Sequence, residues 1–465
     1  MLLTEDFLLT TRTARTLFHE YVATLPIIDY HCHLVPQEIA EDRNFSGIVE
    51  AWLGGHGYGD HYKWRLMRAN GVPESHITGD APDWEKFRAF AATMERAVGN
   101  PVYLWTHLEL RRIFGIEEDL TSDSARSIFE RTNDLLATPE FSRRSLIRRF
   151  DVEVVCTTDD PVDDLHYHRS LAAETDFRVV PAFRPDHALA IDRPGFQGWL
   201  TTLEEVTGAR LDTFAALGDA LGSRIDYFHD LGARMADLAV DRVGYEDATE
   251  ADLDAILRRA REGGPVTPAE VVRYRSGLIR DLAHRFRAKG WTMQMHLHAA
   301  RDLNRAGFAL HGADTGFDAI GDGGVVEPLA RLFDALDAED GLPQTIVYSL
   351  NPTDWLPLTA LIGCFQGGTR QRLQLGAAWW FNDTVSGIRS QLEVMAEQSL
   401  VGNFIGMTTD SRSFLSYPRH EFFRRILCQL LGEWSERGQI TDDVAALGAL
   451  AQDVSYHNAK ARFAD

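Results

Sequence analysis

Long apolar runs are missing from this chain: no stretch of its 465 residues approaches the roughly 20 that a membrane helix needs, so no membrane partner is expected. Cysteine is almost as scarce. Four are present, at positions 32, 156, 364 and 428, and no two form a CxxC pair; they read as reduced, mostly buried residues of a cytosolic protein. The opening MLLTEDFLLT lacks a basic n-region, and Glu5 and Asp6 interrupt its apolar stretch. No export leader is therefore expected, and a cytoplasmic location follows. Positive charge is in deficit, with 47 Lys and Arg against 69 Asp and Glu, a net charge of −22. That balance argues against nucleic acid or an anionic membrane as partner, since both want a basic footprint. An anionic substrate would have to be captured by local arginines. Short-period repeats, low-complexity segments and Pro/Ser-rich linkers are absent too.

What is present is an ordinary globular composition, 45% hydrophobic and 25% charged, enough for a large core. Short apolar runs alternate with longer helical patterns. The runs are PIIDYH (26–31), VEVVCT (152–157), FRVVPAF (177–183), ARMADLAV (233–240), WTMQMHL (291–297), TIVYSL (345–350), RLQLGAA (372–378) and FIGMTT (404–409), with helical stretches such as Pro268–Lys289 and Asp383–Leu400 between them. Eight strands alternating with helices predict an α/β fold, a (β/α)8 TIM barrel, formed as one domain over 1–465. Residues 36–150 break the rhythm. Segments such as FSGIVEAWL and DWEKFRAFAATMERAVG predict a large all-helical insertion, a subdomain placed after the first strand.

Each run ends in polar chemistry. The first ends in His31 and His33, the second in Thr158, Asp159 and Asp160, the third in Arg184, and the fourth contains Asp237. The fifth ends in His296 and His298, the sixth in Asn351; the seventh leads into Trp379, Trp380 and Asn382, the eighth into Asp410 and Arg412. In a barrel these ends converge on the face where active sites lie. Asp159–Asp160–Pro161 and Asn351–Pro352 also suit plain turns, but two His-x-His pairs and an Asp-x-Arg are not turn chemistry.

The stretch DYHCH (29–33) is the sharpest signal. Side chains alternate along a strand, so His31 and His33 point one way and Cys32 the other, with alpha carbons roughly 6.6 Å apart. Both imidazoles can then reach one divalent ion. Asp410, at the end of the last strand and so next to the first in a closed barrel, supplies an anionic third ligand and leaves one position open. A bare HxH is weak by itself; the strand-end context favours ligation over two structural histidines. His296 either completes the metal site or hydrogen-bonds a substrate oxygen, and His298 could equally be a loop residue. The site resembles that of the amidohydrolase superfamily, but the fourth run has no lysine and the sixth no histidine. A mononuclear site is expected, with zinc suited to the ligands and manganese, cobalt or iron as alternatives.

Longer blocks narrow the family. GDHYKWRLMRANGV (59–72), GNPVYLWTHLELRRIFGI (99–116), TTDDPVDDL (157–165), AWWFND (378–383) and TDSRSFLSYPRHEFFRRILCQLLG (409–432) resemble uronate isomerase, also called glucuronate isomerase, a divergent branch of that superfamily. The resemblance runs from TEDFLLT to YHNAKARFAD. It implies aldose–ketose isomerisation of a small-molecule hexuronate: D-glucuronate to D-fructuronate and D-galacturonate to D-tagaturonate, in hexuronate catabolism. It implies His31 and His33 as metal ligands, Asp410 as ligand or base with Arg412 beside it, and His61 and Tyr62 reaching over the mouth from the insertion. Arg184, Asp237, His296 and Arg301 join the site, and one of Trp379 and Trp380 lines the pocket. The resemblance also implies a basic residue after the sixth strand, where this chain has Asn351–Pro352–Thr353–Asp354.

Such a reaction needs no organic cofactor. Tyr62 with Arg412 nearby would transfer protons, since a neighbouring cation lowers a phenol's pKa. Asp410 would help open the ring or act as base, the ion would act as a Lewis acid, and Arg184 and Arg301 are the candidates for the C6 carboxylate. The blander readings are that Tyr62 packs a helix, Arg301 is a solvated charge and Asp237 caps a turn. RHEFFRRILCQLLG reads as a core helix whose basic residues are structural. A mononuclear metal-dependent hydrolase or decarboxylase is the alternative function, a non-catalytic sugar-acid binder a third. A homo-oligomer is left open.

Overall fold

The computed structural model describes residues 3–54, 59–241 and 243–463. In chain order the strands are β1 (Ile27–Asp29), β2 (Val152–Asp159), β3 (Arg178–Phe183), β4 (Met235–Val240), β5 (Thr292–Leu297), β6 (Ala299–Ala300), β7 (Ala319–Ile320), β8 (Gln344–Ser349) and β9 (Leu373–Leu375). Seven of them form one parallel sheet in the order β1-β2-β3-β4-β5-β8-β9, while β6 and β7 pair antiparallel outside it. The sheet strands are buried along nearly their whole length, which is why they read as continuous apolar runs; helices cover a parallel sheet. The expected barrel class is the one observed.

Two strand expectations need correction. The first ladder stops at Asp29, so His31 and His33 sit just beyond β1, with a bend at His31. The run 404–409 is not a strand among the described residues. It closes the barrel through other bonds: Tyr30 Oη donates to the Gly406 carbonyl at 2.8 Å, and the Asp410 and His33 amides donate to His31 and Ser411 carbonyls at 3.1 and 2.9 Å. The physical reason lies at Gly406 (φ +81°), where a Cβ would strike the Val454 carbonyl; the chain bends where a ladder would have to run straight.

The described residues between 36 and 150 form helices and no strands, as expected for that stretch; positions 55–58 within it lie outside the described residues. Local signals set helix ends well. Pro268–Lys289 starts at a capping box, Thr267 with Glu270, and stops at Gly290 (φ +69°), as those residue types dictate. The closing helix Pro418–Glu436 buries its cations. Arg424 donates to the carbonyls of Val22, Leu25 and Pro26 at 3.3, 2.8 and 2.7 Å. Arg425 lies between the rings of Phe7 and Phe18, 3.9 and 4.0 Å from their centroids. Both are structural, as the sequence suggested. No helix among the described residues is long and apolar enough to cross a membrane.

Burial at the end of β2 has a measurable consequence. Asp159 is buried, and desolvation pushes its carboxyl up to about 8 despite a hydrogen bond from Thr157, against roughly 3.9 in an unfolded chain. The folded protein therefore keeps a proton that the unfolded chain has released, and stability declines as pH rises from about 4 towards 8. Asp159→Asn removes that titration: its melting temperature should gain on the parent's more at about pH 9 than at about pH 6. Thermal unfolding followed by circular dichroism checks this, and an equal offset at both pH values would refute it.

Candidate active site

The strand ends and the helical segment open onto a cavity of about 650 Å³ lined by charged and aromatic side chains, within the range usual for small-molecule sites. His31, His33, His61, Tyr62, Arg184, Asp237, His296, Arg301, Trp379, Trp380, Asp410 and Arg412 all face it. These twelve residues singled out for the site are thus brought together.

At its floor, His31 Nε2 and His33 Nε2 lie 3.1 and 3.0 Å from the same oxygen, Asp410 Oδ1. Three ligands at 2.0–2.1 Å on a tetrahedral ion would stand about 3.3 Å apart, so the set fits a single divalent cation. The outer contacts support ligation. Thr158 Oγ1 donates to the Cys32 carbonyl at 2.6 Å and so accepts from His33 Nδ1, 3.1 Å away. The His33 proton is thereby held on Nδ1 and Nε2 is left bare, the usual arrangement around a metal-bound imidazole. Burial pushes His33 down to about 4, so it is a neutral ligand. Burial also opposes charge on His31, but Asp237 and Asp410 raise it above its ordinary value; the pair of carboxylates wants a cation there. Burial would raise Asp410, yet its neighbours, His31 foremost, hold it well below the carboxylate range.

Asp410 itself has a left-handed backbone, φ +44°, a conformation that costs a non-glycine residue about 1–3 kcal/mol unless its surroundings enforce it. Asp29 does the enforcing. Its buried carboxylate accepts from the Thr409 amide at 2.9 Å, the Thr409 hydroxyl at 2.7 Å and the Thr408 hydroxyl at 3.1 Å. Arg419 donates to the Thr409 carbonyl at 2.6 Å and to Asp383 at 3.1 Å. The indole of Trp379 donates to Asp410 Oδ2.

A second group of potential ligands, His31, Asp237 and His296, adjoins the first. Here a side chain already supplies the cation: Arg184 contacts Asp237 at 3.2 Å and Asp186 at 2.6 Å. Asp237 also holds His296 Nδ1 at 2.6 Å, leaving His296 Nε2 buried without a partner. His298 is different. It bonds Asp354 at 2.7 Å, which also accepts from Ser349 at 2.5 Å, so it ties two loops together. Asn351 caps the turn at Thr353 and Asn382 donates to the Leu350 carbonyl. Neither they nor Thr353 line the cavity.

Asp60 caps the helix His61–Ala69, accepting from the Tyr62 and Lys63 amides at 3.0 and 3.2 Å, and this sets His61 and Tyr62 on the cavity wall. Burial raises the Tyr62 phenol well above its ordinary value, and the opposing cation is Arg419. The expected Tyr62–Arg412 partnership is therefore corrected. Arg412 instead pairs with Asp314 at 2.7 Å, and Asp314 pairs with Arg301 at 3.0 Å. Both tryptophans, rather than one, line the cavity: Trp379 stands edge-on to His296 at 4.7 Å, and Trp380 stacks on His61 at 4.9 Å beneath Arg301. Asp29, Asp314 and Arg419 went unrecognised in the sequence as site residues, and Thr158 was named only as a polar strand end. Asp29 and Thr158 lie inside stretches that were singled out, DYHCH and TTDDPVDDL, whereas Arg419 was read as part of a structural core helix and Asp314 reaches the site only by folding.

Comparison with known proteins agrees with this geometry. The family model described as glucuronate isomerase matches residues 1–463. The uronate isomerases of Latilactobacillus sakei and Lactococcus lactis are 49% and 48% identical, covering 98% of this chain in both cases and 98% and 96% of the relative. The crystal structure of the Thermotoga maritima uronate isomerase superposes with a TM-score of 0.93 at 35% identity, covering 100% of both chains. That of the Caulobacter crescentus glucuronate isomerase gives 0.91 at 26% identity, covering 99% of this chain and 97% of that one. These are isomerase names, which leaves the hydrolase or decarboxylase alternative without support. With the histidine pair, the shared aspartate and the arginine-lined cavity in one barrel, the chain belongs to the glucuronate (uronate) isomerase family.

Proposed function

We propose that the protein interconverts D-glucuronate with D-fructuronate and D-galacturonate with D-tagaturonate by proton transfer through an enediol. The observation that carries this reading is the convergence of His31 and His33 on one oxygen of Asp410, each at about 3 Å, in one cavity with Arg301 and Arg412. One divalent ion, zinc by ligand type, would be held by those three residues and would supply Lewis-acid polarisation of a sugar oxygen.

The chain's own groups divide the remaining work. Isomerisation moves a proton from C2 to C1 and another from O2 to O1. Asp410, held ionised, is the group fit to take the C2 proton and return it to C1, through the oxygen that Trp379 bonds. Tyr62, held neutral by burial, is fit to donate its proton to O1 and to take one back from O2, so that it ends the cycle as it began. His296 offers a bare Nε2 to a sugar hydroxyl, its other nitrogen being held by Asp237. His61, which burial keeps low in pKa, is a neutral wall beside Trp380.

Arg184 is already balanced by two carboxylates, Asp186 and Asp237. Arg301 and Arg412 share a single one, Asp314. One ion-paired carboxylate shared by two guanidinium groups favours this pair for the C6 carboxylate, with Asp241 and Asp302 also near Arg301 and Arg184 holding Asp237 in place. This departs from the expectation that Arg184 itself takes the carboxylate.

Three measurements bear on the reading. Turnover of D-glucuronate in heavy water should leave deuterium in the product or recovered sugar; release of a cleavage fragment would mark a hydrolase instead. Asp410→Asn should lower kcat by about 10²–10⁴-fold, and activity within tenfold of the parent would remove Asp410 from the chemistry. Thr158→Val, which strips the acceptor from His33 Nδ1, should weaken zinc binding by roughly 10–100-fold in competition with a fluorescent chelator. Unchanged zinc affinity would show that the Thr158 contact does not hold His33 as a ligand.

A further inference from the structure

The segment between β5 and β8 carries a carboxylate into the cavity. Asp314 Oδ1 lies 3.0 Å from Arg301 Nη1, and its Oδ2 lies 2.7 Å from Arg412 Nη2. One carboxylate thus bridges two guanidinium groups, each oxygen on its own arginine, as an incoming carboxylate ligand would. The surroundings keep it there. Asp314 has a left-handed backbone, φ +58°, and the residues after it are tied to the helix His61–Ala69. Arg68 donates to the Thr315 carbonyl, and Arg65 donates to the carbonyls of Gly316 and Asp318. Arg68 also lies 4.5 Å from the centre of the Phe317 ring.

We propose that Asp314 is a specificity-determining residue: an internal carboxylate that occupies the Arg301–Arg412 pair and must be displaced by the carboxylate of the substrate. The inference rests on the isomerase reading above for the identity of that substrate. Its physical content is competition. Two arginines facing an aqueous cavity would attract any small anion, and a tethered carboxylate on the same pair sets a threshold that weak anions do not cross. A uronate crosses it because its hydroxyls bind elsewhere in the cavity at the same time. If the pair is free one time in ten, apparent affinity for a carboxylate ligand is reduced roughly tenfold. A ligand of the same shape without the carboxylate is not affected, because it never uses the pair.

The experiment compares two unreactive probes by calorimetry on the intact chain: L-gulonate, the uronate reduced at C1, and D-glucitol, which lacks the carboxylate. In Asp314→Asn, L-gulonate binding should tighten roughly tenfold while D-glucitol binding stays within twofold of the parent. Asp314→Ala should move the same way, and KM for D-glucuronate should fall in both variants. Weaker L-gulonate binding would overturn the proposal, because it would show that Asp314 positions the arginines for substrate. Equal changes for both probes would overturn it too, as a general effect on the pocket. Failure of the isomerase reading is separately visible, since the parent would then not convert D-glucuronate at all.

Discussion

The site depends on one oxygen atom. Asp410 Oδ1 meets His31 and His33 at 3.1 and 3.0 Å, and those two histidines come from the opposite end of the chain. Nothing in a regular strand ladder holds them together there, because the last parallel strand is missing and the chain bends at Gly406. Asp29 takes the ladder's place: one buried carboxylate collects three hydrogen bonds from Thr408 and Thr409. Burial alone would push such a group towards protonation, and its carboxyl stands at about 6. The barrel is therefore closed, at the point where the chemistry is proposed, by two isolated backbone bonds, Asp410 amide to His31 carbonyl and His33 amide to Ser411 carbonyl, and by these side chains. A backbone ladder would have carried Asp410 in ordinary strand geometry; the side-chain bracket permits the left-handed turn that aims its carboxylate inwards.

Charge in the cavity is arranged in compensated groups. Asp237 is balanced by Arg184, with His296 Nδ1 as its hydrogen-bond partner, Asp383 and the Thr409 carbonyl by Arg419, and Arg301 with Arg412 by Asp314. In a chain with net charge −22 these local clusters let an anion bind where the long-range field repels it. The pairings also separate roles that look alike in sequence. Arg184 and Arg301 both read as anion binders in the sequence and Arg412 as the partner of Tyr62, but Arg184 is neutralised twice over, and the Tyr62 phenol faces Arg419 rather than Arg412.

Much of this was legible in the one-dimensional pattern because short-range rules govern it. Period-2 alternation in DYHCH put both histidines on one side, capping residues marked where Pro268–Lys289 begins and ends, and apolar runs located seven parallel strands to within a few residues. The failures share one cause. Phe404–Thr409 has strand composition, yet a glycine packed against Val454 bends it. Arg419 sits among the basic residues of a core helix and differs from Arg424 and Arg425 only in what lies opposite. Asp314 belongs to a loop with no periodicity, so nothing nearby in sequence pointed to the cavity.

By itself, then, the order of residues determined which side chains are available and on which face each local element presents them, since those depend on neighbours within one or two turns. Tertiary structure alone decided the partners. A carboxylate's charge state and a guanidinium's freedom depend on groups that folding brings within 3 or 4 Å from hundreds of residues away, as Asp410 is brought to His31, and no local rule encodes that distance.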